Sequence, residues 1–228
     1  MLGYIGDPQD PEDSVSKIEN EKNNPSVQAL LDQVKNKGNS LYYMVIYLSP
    51  GDYHRFHSPA IHTADYRRHI AGYLEPVKPS YVNKHRDVFK NNERVNIFGE
   101  WRGEEKDFFF TSFVGALNVG SIVLDFDEDV VTNQACPASP YYADKIYNKD
   151  ISSPLSRYLD APKSSDGTIN FEKGEMTGRF EMGSTIVLVY EAPPETTKTL
   201  IQEGDKVTLG QPIVLTKEIE DQDLFTQQ

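Results

Sequence analysis

Two short segments carry residue types that could do chemistry. The first is YLSPGDYHRFHSPA, Tyr47 to Ala60, where His54 and His57 lie three apart after a β-prone run. The second is GRFEMGSTIVLVYEAP, Gly178 to Pro193, where a Gly183-Ser184-Thr185 turn runs straight into an apolar strand. A serine hydroxyl is a poor nucleophile until a base takes its proton, and an imidazole titrating near neutrality is suited to that task. Histidines three apart could also form half of a metal site on a helix. No third ligand stands at a convincing spacing, since His62, His69 and His85 are scattered; no metal is expected. Alone, a pair of loop histidines is more often structural than catalytic, and Gly-Ser is a common turn pair. Gly183-Ser184-Thr185-Ile186 also lacks the second glycine of a nucleophile elbow.

The elements that must position these residues are mostly strands. Residues 1–24 are polar, acidic and rich in Pro and Asn, as expected of a loop or a frayed end. Residues 25–36 predict a short helix: Asn24 can cap it, Pro25 suits its first position, and Val27, Leu30, Leu31 and Val34 form an apolar stripe. Gly38 is its stop signal. Strands are predicted at Leu41–Leu48, Arg94–Phe98, Phe108–Val114, Ser121–Phe126, Thr185–Tyr190 and Val207–Leu215. Residues 132–168, rich in Pro, Ser, Asp and Tyr, predict a long loop or insertion. The tail after Lys217 is acidic and polar. In Glu203–Ile213 (EGDKVTLGQPI) two glycines bracket a hairpin like that of biotinyl and lipoyl carrier domains. The modifiable lysine motif of those carriers is not evident, so that likeness concerns fold alone.

Bulk properties exclude several functions. The 228 residues are enough for one substantial core, and 38% of them are hydrophobic, as in a globular chain. A net charge of −12 repels polyphosphate, so no nucleic-acid partner is expected. Two local basic clusters, Arg67-Arg68-His69 and Lys84-His85-Arg86, read as solvated loop faces. Cys136 is the one cysteine, which excludes an intrachain disulfide. No apolar run approaches the roughly 18 residues that span a bilayer. The N-terminal MLGYIGDPQDPEDS has no signal or transit pattern.

Taken together, the two chemistry-bearing segments resemble the signature regions of the phosphatidylserine decarboxylase family. Leu48 to Pro59 matches that family's Leu-Ser-Pro-x-Asp-Tyr-His-x-x-His-x-Pro block throughout. Gly183-Ser184-Thr185 matches its late cleavage site, with Met182 where Leu or Gly is usual. Asn91–Trp101, Phe113–Phe126 and Lys173–Thr185 are similar too, so the likeness runs in order from about Leu41 to Val214.

The resemblance implies a single domain over 1–228 of mainly β (α+β) class: a partly open barrel or sandwich resembling a barrel-sandwich hybrid, with a few short helices. It implies that Ser184 attacks the carbonyl of Gly183, with His57 as its base, and cuts the chain into a β chain, 1–183, and an α chain, 184–228. Residue 184 becomes a covalently bound pyruvoyl group, the one cofactor. Phosphatidylserine then joins it as a Schiff base, loses CO2 with His54 implicated in the decarboxylation, and leaves as phosphatidylethanolamine. The implied partners are phosphatidylserine in a membrane, the two cleaved chains as a heterodimer, and compatibility with a homo-oligomer. The implied location is membrane-associated, at the mitochondrial inner membrane.

One family feature has no match. The Asp of an N-terminal Pro-Ala-Asp-Gly-like stretch completes the self-cleavage triad in the family, and the chain reads as beginning just after it, at the family-like Ser26–Leu31. The family's apolar docking region is unmatched as well. An N-terminally truncated chain is the expectation. Asp52 belongs to the histidine block and does not take the missing role. The runner-up reading is a non-catalytic lipid- or partner-binding relative that stays uncut. A hydrolase using Ser184 and His57, or a carrier-like domain, ranks lower.

Overall fold

The computed structural model describes residues 25–116, 121–134, 142–147 and 167–216. Among them the protein is mainly β with three short helices, and its sheets do not close into a barrel. The expected class is met. The predicted loop at 1–24, the cap at Asn24, the acidic tail and most of 132–168 lie outside the described residues. None of the described helices is long and apolar enough to cross a membrane.

The helices are α1 (Pro25–Asn36), α2 (Pro79–Val82) and α3 (Val88–Asn91). The strands are β1 (Ser40–Tyr47), β2 (Arg55–His57), β3 (His62–Ala64), β4 (Tyr66–Ile70), β5 (Arg94–Trp101), β6 (Asp107–Val114), β7 (Ile122–Leu124), β8 (Tyr142–Ile146), β9 (Ile169–Phe171), β10 (Met176–Phe180), β11 (Thr185–Ala192), β12 (Lys198–Thr199) and β13 (Val214–Leu215). The largest sheet runs β1-β11-β6-β5-β3-β9, with β4 pairing both β5 and β8. A second sheet runs β2-β10-β7, and β12 pairs β13.

Among the described residues two compact units divide the chain: 25–42 and 191–216 form one, 43–116, 121–134, 142–147 and 167–190 the other. In the first, α1 stops where expected, with Gly38 at φ +74 and the Asn39 N–H donating to Val34 O at 3.0 Å. Val34 is buried, whereas Leu31 of the predicted stripe is exposed. The Glu191 carboxylate is fully buried and accepts from Asn39 Nδ2 at 2.7 Å, with Lys37 Nζ at 3.5 Å. The strand predicted over Val207–Leu215 and the hairpin predicted over Glu203–Ile213 are corrected. Only Val214–Leu215 is strand there, and its partner is Lys198–Thr199 rather than its own neighbours.

The second unit holds the main core: Phe56, Ala64, Val95, Ile97, Phe113, Ile122, Leu124, Tyr147, Phe171 and Phe180. Phe56 stacks on Phe113 with ring centroids 4.0 Å apart, a contact worth about 0.5–1.5 kcal/mol beyond area burial. That pair fastens the short β2, which carries His57, to the C-terminal end of β6. Close backbone approach also matters at Gly99, where a Cβ would lie 1.7 Å from Thr63 O.

Two further expectations are corrected in this unit. Residues 142–146 are not loop but β8, paired in register with β4. Arg67-Arg68-His69 is not a solvated loop face but the middle of β4. Arg67 (4% exposed) donates from Nε to Asp127 Oδ2 at 3.1 Å. Arg68 makes a two-pronged bond to Asp144, 2.8 Å on each prong. His69 Nε2 lies 2.9 Å from Glu93 Oε1. Each basic group thus has an internal carboxylate, which removes the cluster as an anion-binding face. Lys84, His85 and Arg86 are exposed, as expected.

His62 shows what burial does to a titratable group. It packs against Phe109 and Phe171 at 4.4 and 5.0 Å between ring centroids, with Nδ1 2.8 Å from Ser58 Oγ. Burial pushes its pKa down to about 4, against the weaker opposing effects of Ala60 O and the Glu175 charge. The unfolded chain therefore binds a proton that the folded chain refuses. Stability should be whole above about pH 6.5 and fall by about 3 kcal/mol as pH drops towards 4. Urea midpoints of the parent and of His62→Leu across that range check this. The variant should lose less stability over the window, and identical pH slopes would contradict the assignment.

Candidate functional site

Every residue of the site lies in the second unit. The chain leaves β1 at Tyr47 and turns at once. Ser49 donates from both N and Oγ to Asp52 Oδ2, at 2.8 Å each, and the Asp52 N–H returns to Ser49 O at 2.9 Å. This carboxylate is committed to its own turn, a familiar use of Asp three residues after Ser. Extended backbone follows, and β2 pairs antiparallel with β10 so that Phe56 faces Gly178 and His57 faces Met176. The Phe180 N–H donates to His54 O at 2.9 Å and continues that ladder.

On an extended chain, side chains alternate between faces. Phe56 is buried and Arg55 exposed. His54 shares the inward side with Phe56, whereas His57 shares the outward side with Tyr53 and Arg55. A spacing of three, which would put two histidines on one face of a helix, separates them here.

His54 points at the Gly183-Ser184 dipeptide. A Cβ built on Gly183 would lie 2.9 Å from His54 Nε2, 2.4 Å from Leu48 O and 2.8 Å from Ser49 O. His54 Nε2 also lies 2.9 Å from Ser49 O; a carbonyl only accepts, so Nε2 carries the proton. His57 has both ring nitrogens engaged. Nδ1 donates to Gly174 O at 2.9 Å, and Nε2 accepts from the Tyr53 hydroxyl at 2.9 Å. Its lone pair is free to act only when the Tyr53 phenol swings away.

Ser184 is fully buried at the head of β11. Its hydroxyl donates to Val114 O, and its carbonyl accepts from Leu48 N at 2.7 Å. Thr185 is fully buried as well. Burial keeps water from the Gly183–Ser184 bond, and an acyl group transferred to Ser184 Oγ would be shielded from hydrolysis.

The sequence pointed to His54, His57, Gly183 and Ser184. The structure brings His54, Gly183 and Ser184 together, and sets His57 between Tyr53 and Gly174. Tyr53 was legible in principle, because 53, 55 and 57 share a face once the segment is extended. The carbonyls of Leu48, Ser49, Val114 and Gly174 have no sequence signal.

Residues 10–215 match the family model described as phosphatidylserine decarboxylase. This chain belongs to that family. It is 42% identical over 180 residues to the mitochondrial phosphatidylserine decarboxylase proenzyme of Rattus norvegicus, covering 79% of this chain and 40% of the relative. Against proenzyme 1 of Saccharomyces cerevisiae, also mitochondrial, identity is 42% over 178 residues, 76% of this chain and 32% of the relative. The Caenorhabditis elegans mitochondrial proenzyme is 41% identical over 174 residues, 76% of this chain and 40% of the relative. The chain therefore spans no more than 40% of the length of these curated relatives. In this chain the histidine block and the Gly-Ser-Thr turn come from distant parts of the sequence and meet at Gly183.

Proposed function

We propose that this chain is the self-processing catalytic part of a phosphatidylserine decarboxylase, which converts phosphatidylserine to phosphatidylethanolamine and CO2. The observation that carries the reading is His54 Nε2 against Gly183, beside a nucleophile fully shielded from solvent. The kinship to chains named proenzymes supports a cut in the chain.

In maturation the family resemblance gives His57 the Ser184 hydroxyl proton; because Tyr53 and Gly174 hold its ring on the outward face of the segment, that role requires both bonds to open and the ring to turn inward. Ser184 Oγ then bonds to the Gly183 carbonyl carbon, and the Gly183–Ser184 peptide bond breaks to leave an ester and a free amine. Elimination removes the proton from Ser184 Cα and breaks Cβ–Oγ, with Gly183 departing as a carboxylate. One water then replaces the nitrogen, released as ammonia, and residue 184 becomes the pyruvoyl group. The residues present fit that group. A glycine precedes it where a side chain has no room, and the pocket of Ser184 is dry.

When present, the pyruvoyl ketone supplies an electron sink for decarboxylating an amine-bearing substrate. His54 stands where a proton can be held and returned beside residue 184. The α chain would stay in place after the cut, because β11 pairs with β6 from Thr185↔Val114 to Tyr190↔Phe109. Work at the mitochondrial inner membrane is the location proposed, in line with the names of the relatives.

Intact-mass spectrometry of the full-length precursor containing this chain tests the reading. Two chains separated between Gly183 and Ser184 are expected, the smaller lighter than its serine form by one ammonia. Ser184→Ala should give one uncut mass. A wild-type precursor that stays whole would refute the proposal and favour the unprocessed lipid- or partner-binding relative.

A further inference from the structure

Thr185 directly follows the nucleophile, and its side chain is fully buried. Among the described residues its Oγ1 has no hydrogen-bond partner. A buried hydroxyl left unpaired is destabilising, and a valine of the same shape would avoid that cost. The groups around it are already committed. The Ser184 hydroxyl donates to Val114 O, the Ser184 carbonyl accepts from Leu48 N, and the Thr185 backbone sits in the ladder opposite Val114. The unsatisfied hydroxyl belongs to the residue whose backbone nitrogen would carry the new α-chain terminus.

We infer that the Thr185 hydroxyl is a catalytic donor held for an oxygen the precursor does not yet contain, the ketone oxygen that maturation places on Cα of residue 184. The inference rests on the maturation reading above. The two oxygens are joined by a short run of covalent bonds through the Thr185 backbone nitrogen. In a dry pocket no water competes for the donor, and a hydrogen bond to a carbonyl that gains negative charge is stronger than it would be in water. The donor draws electron density from the ketone carbon and makes it a better target for an amine.

Two measurements on the full-length precursor test this. In a Ser184→Ala background, which stays uncut, Thr185→Val is expected to leave the thermal midpoint unchanged or raise it. A lowered midpoint would mean that the hydroxyl already has a structural partner, and would overturn the inference. In the otherwise wild-type chain, Thr185→Val is matured to completion, verified by intact mass, and then reacted with hydroxylamine. Labelling of the new α-chain terminus should slow about 100- to 1,000-fold, the effect of removing one donor from a developing oxyanion, while Thr185→Ser keeps a near-parental rate. Equal rates for Thr185→Val and the parent would overturn the inference and leave maturation standing. A stable Thr185→Val precursor that never cuts would move the hydroxyl's task to bond cleavage and overturn its assignment to the ketone. A parent that never cuts would remove the maturation reading, and this inference with it.

Discussion

Gly183→Ala is expected to leave the precursor as a single chain, or to slow its cutting by more than about 100-fold. The reason is space. The new methyl would lie 2.4 Å from Leu48 O and 2.8 Å from Ser49 O, both backbone atoms, and 2.9 Å from His54 Nε2. Neither carbonyl retreats cheaply. Leu48 N is tied to Ser184 O at 2.7 Å, and Ser49 is tied twice to Asp52. The segments must part, and a displacement near 1 Å at a reacting centre costs about 10²-fold in rate. Overpacking should also cost about 1–3 kcal/mol of stability. Time courses of intact mass measure the first effect and urea unfolding the second. Met182→Leu is the control, because that side chain is 47% exposed and Leu is of similar volume. A Gly183→Ala precursor that cuts at the parental rate would show that Leu48, Ser49 and His54 do not enclose the scissile bond when it reacts.

Asp127→Ala should be the most destabilising single change away from the site, by about 3–5 kcal/mol. The Asp127 carboxylate is wholly buried and serves four partners: Arg67 Nε at 3.1 Å, Lys145 Nζ at 3.0 Å, the Asp129 N–H at 3.2 Å and the Tyr147 hydroxyl. Burial alone would raise its pKa, but the Tyr147 hydroxyl, Arg67 and Lys145 outweigh burial and hold it below the ordinary carboxylate value. Its stabilisation is therefore present at neutral pH and fades only as pH falls below about 4. Truncation leaves the buried Arg67 guanidinium without its counter-ion, although Lys145 keeps Asp129 at 2.9 Å. Asp127→Asn, which retains an acceptor of the same shape, should cost less. Urea midpoints for the two variants give the comparison, and a loss below about 1 kcal/mol for Asp127→Ala would mean that Arg67 finds another partner. Because this acid loss lies below the His62 window, the two effects separate by pH.

Long elements could be read directly from the chain. The stripe of α1 and its glycine stop, and the apolar runs of β1, β5, β6 and β11, announce themselves because each is long enough for its own period to show. Short strands could not be read this way. Arg55–His57, His62–Ala64 and Tyr142–Ile146 are polar or only a few residues long, and they are strands because a neighbour offers a ladder. The same cause misplaced the basic run at 67–69. A run of Arg-Arg-His looks solvated until carboxylates at 127, 144 and 93 arrive from distant parts of the chain.

The amino-acid sequence by itself determined the family and singled out Ser184, His54 and His57 as the candidate residues, because those depend on residue types in order along the chain. Tertiary structure alone decided which histidine faces Gly183, since a spacing of three means opposite faces once β10 holds the segment extended. It also decided that the bond is dry, that Gly183 has no room for a methyl, and that the hydroxyl of Thr185 is unpaired. Those are properties of backbone carbonyls and enclosed space, which arise only when residues more than a hundred positions apart pack together.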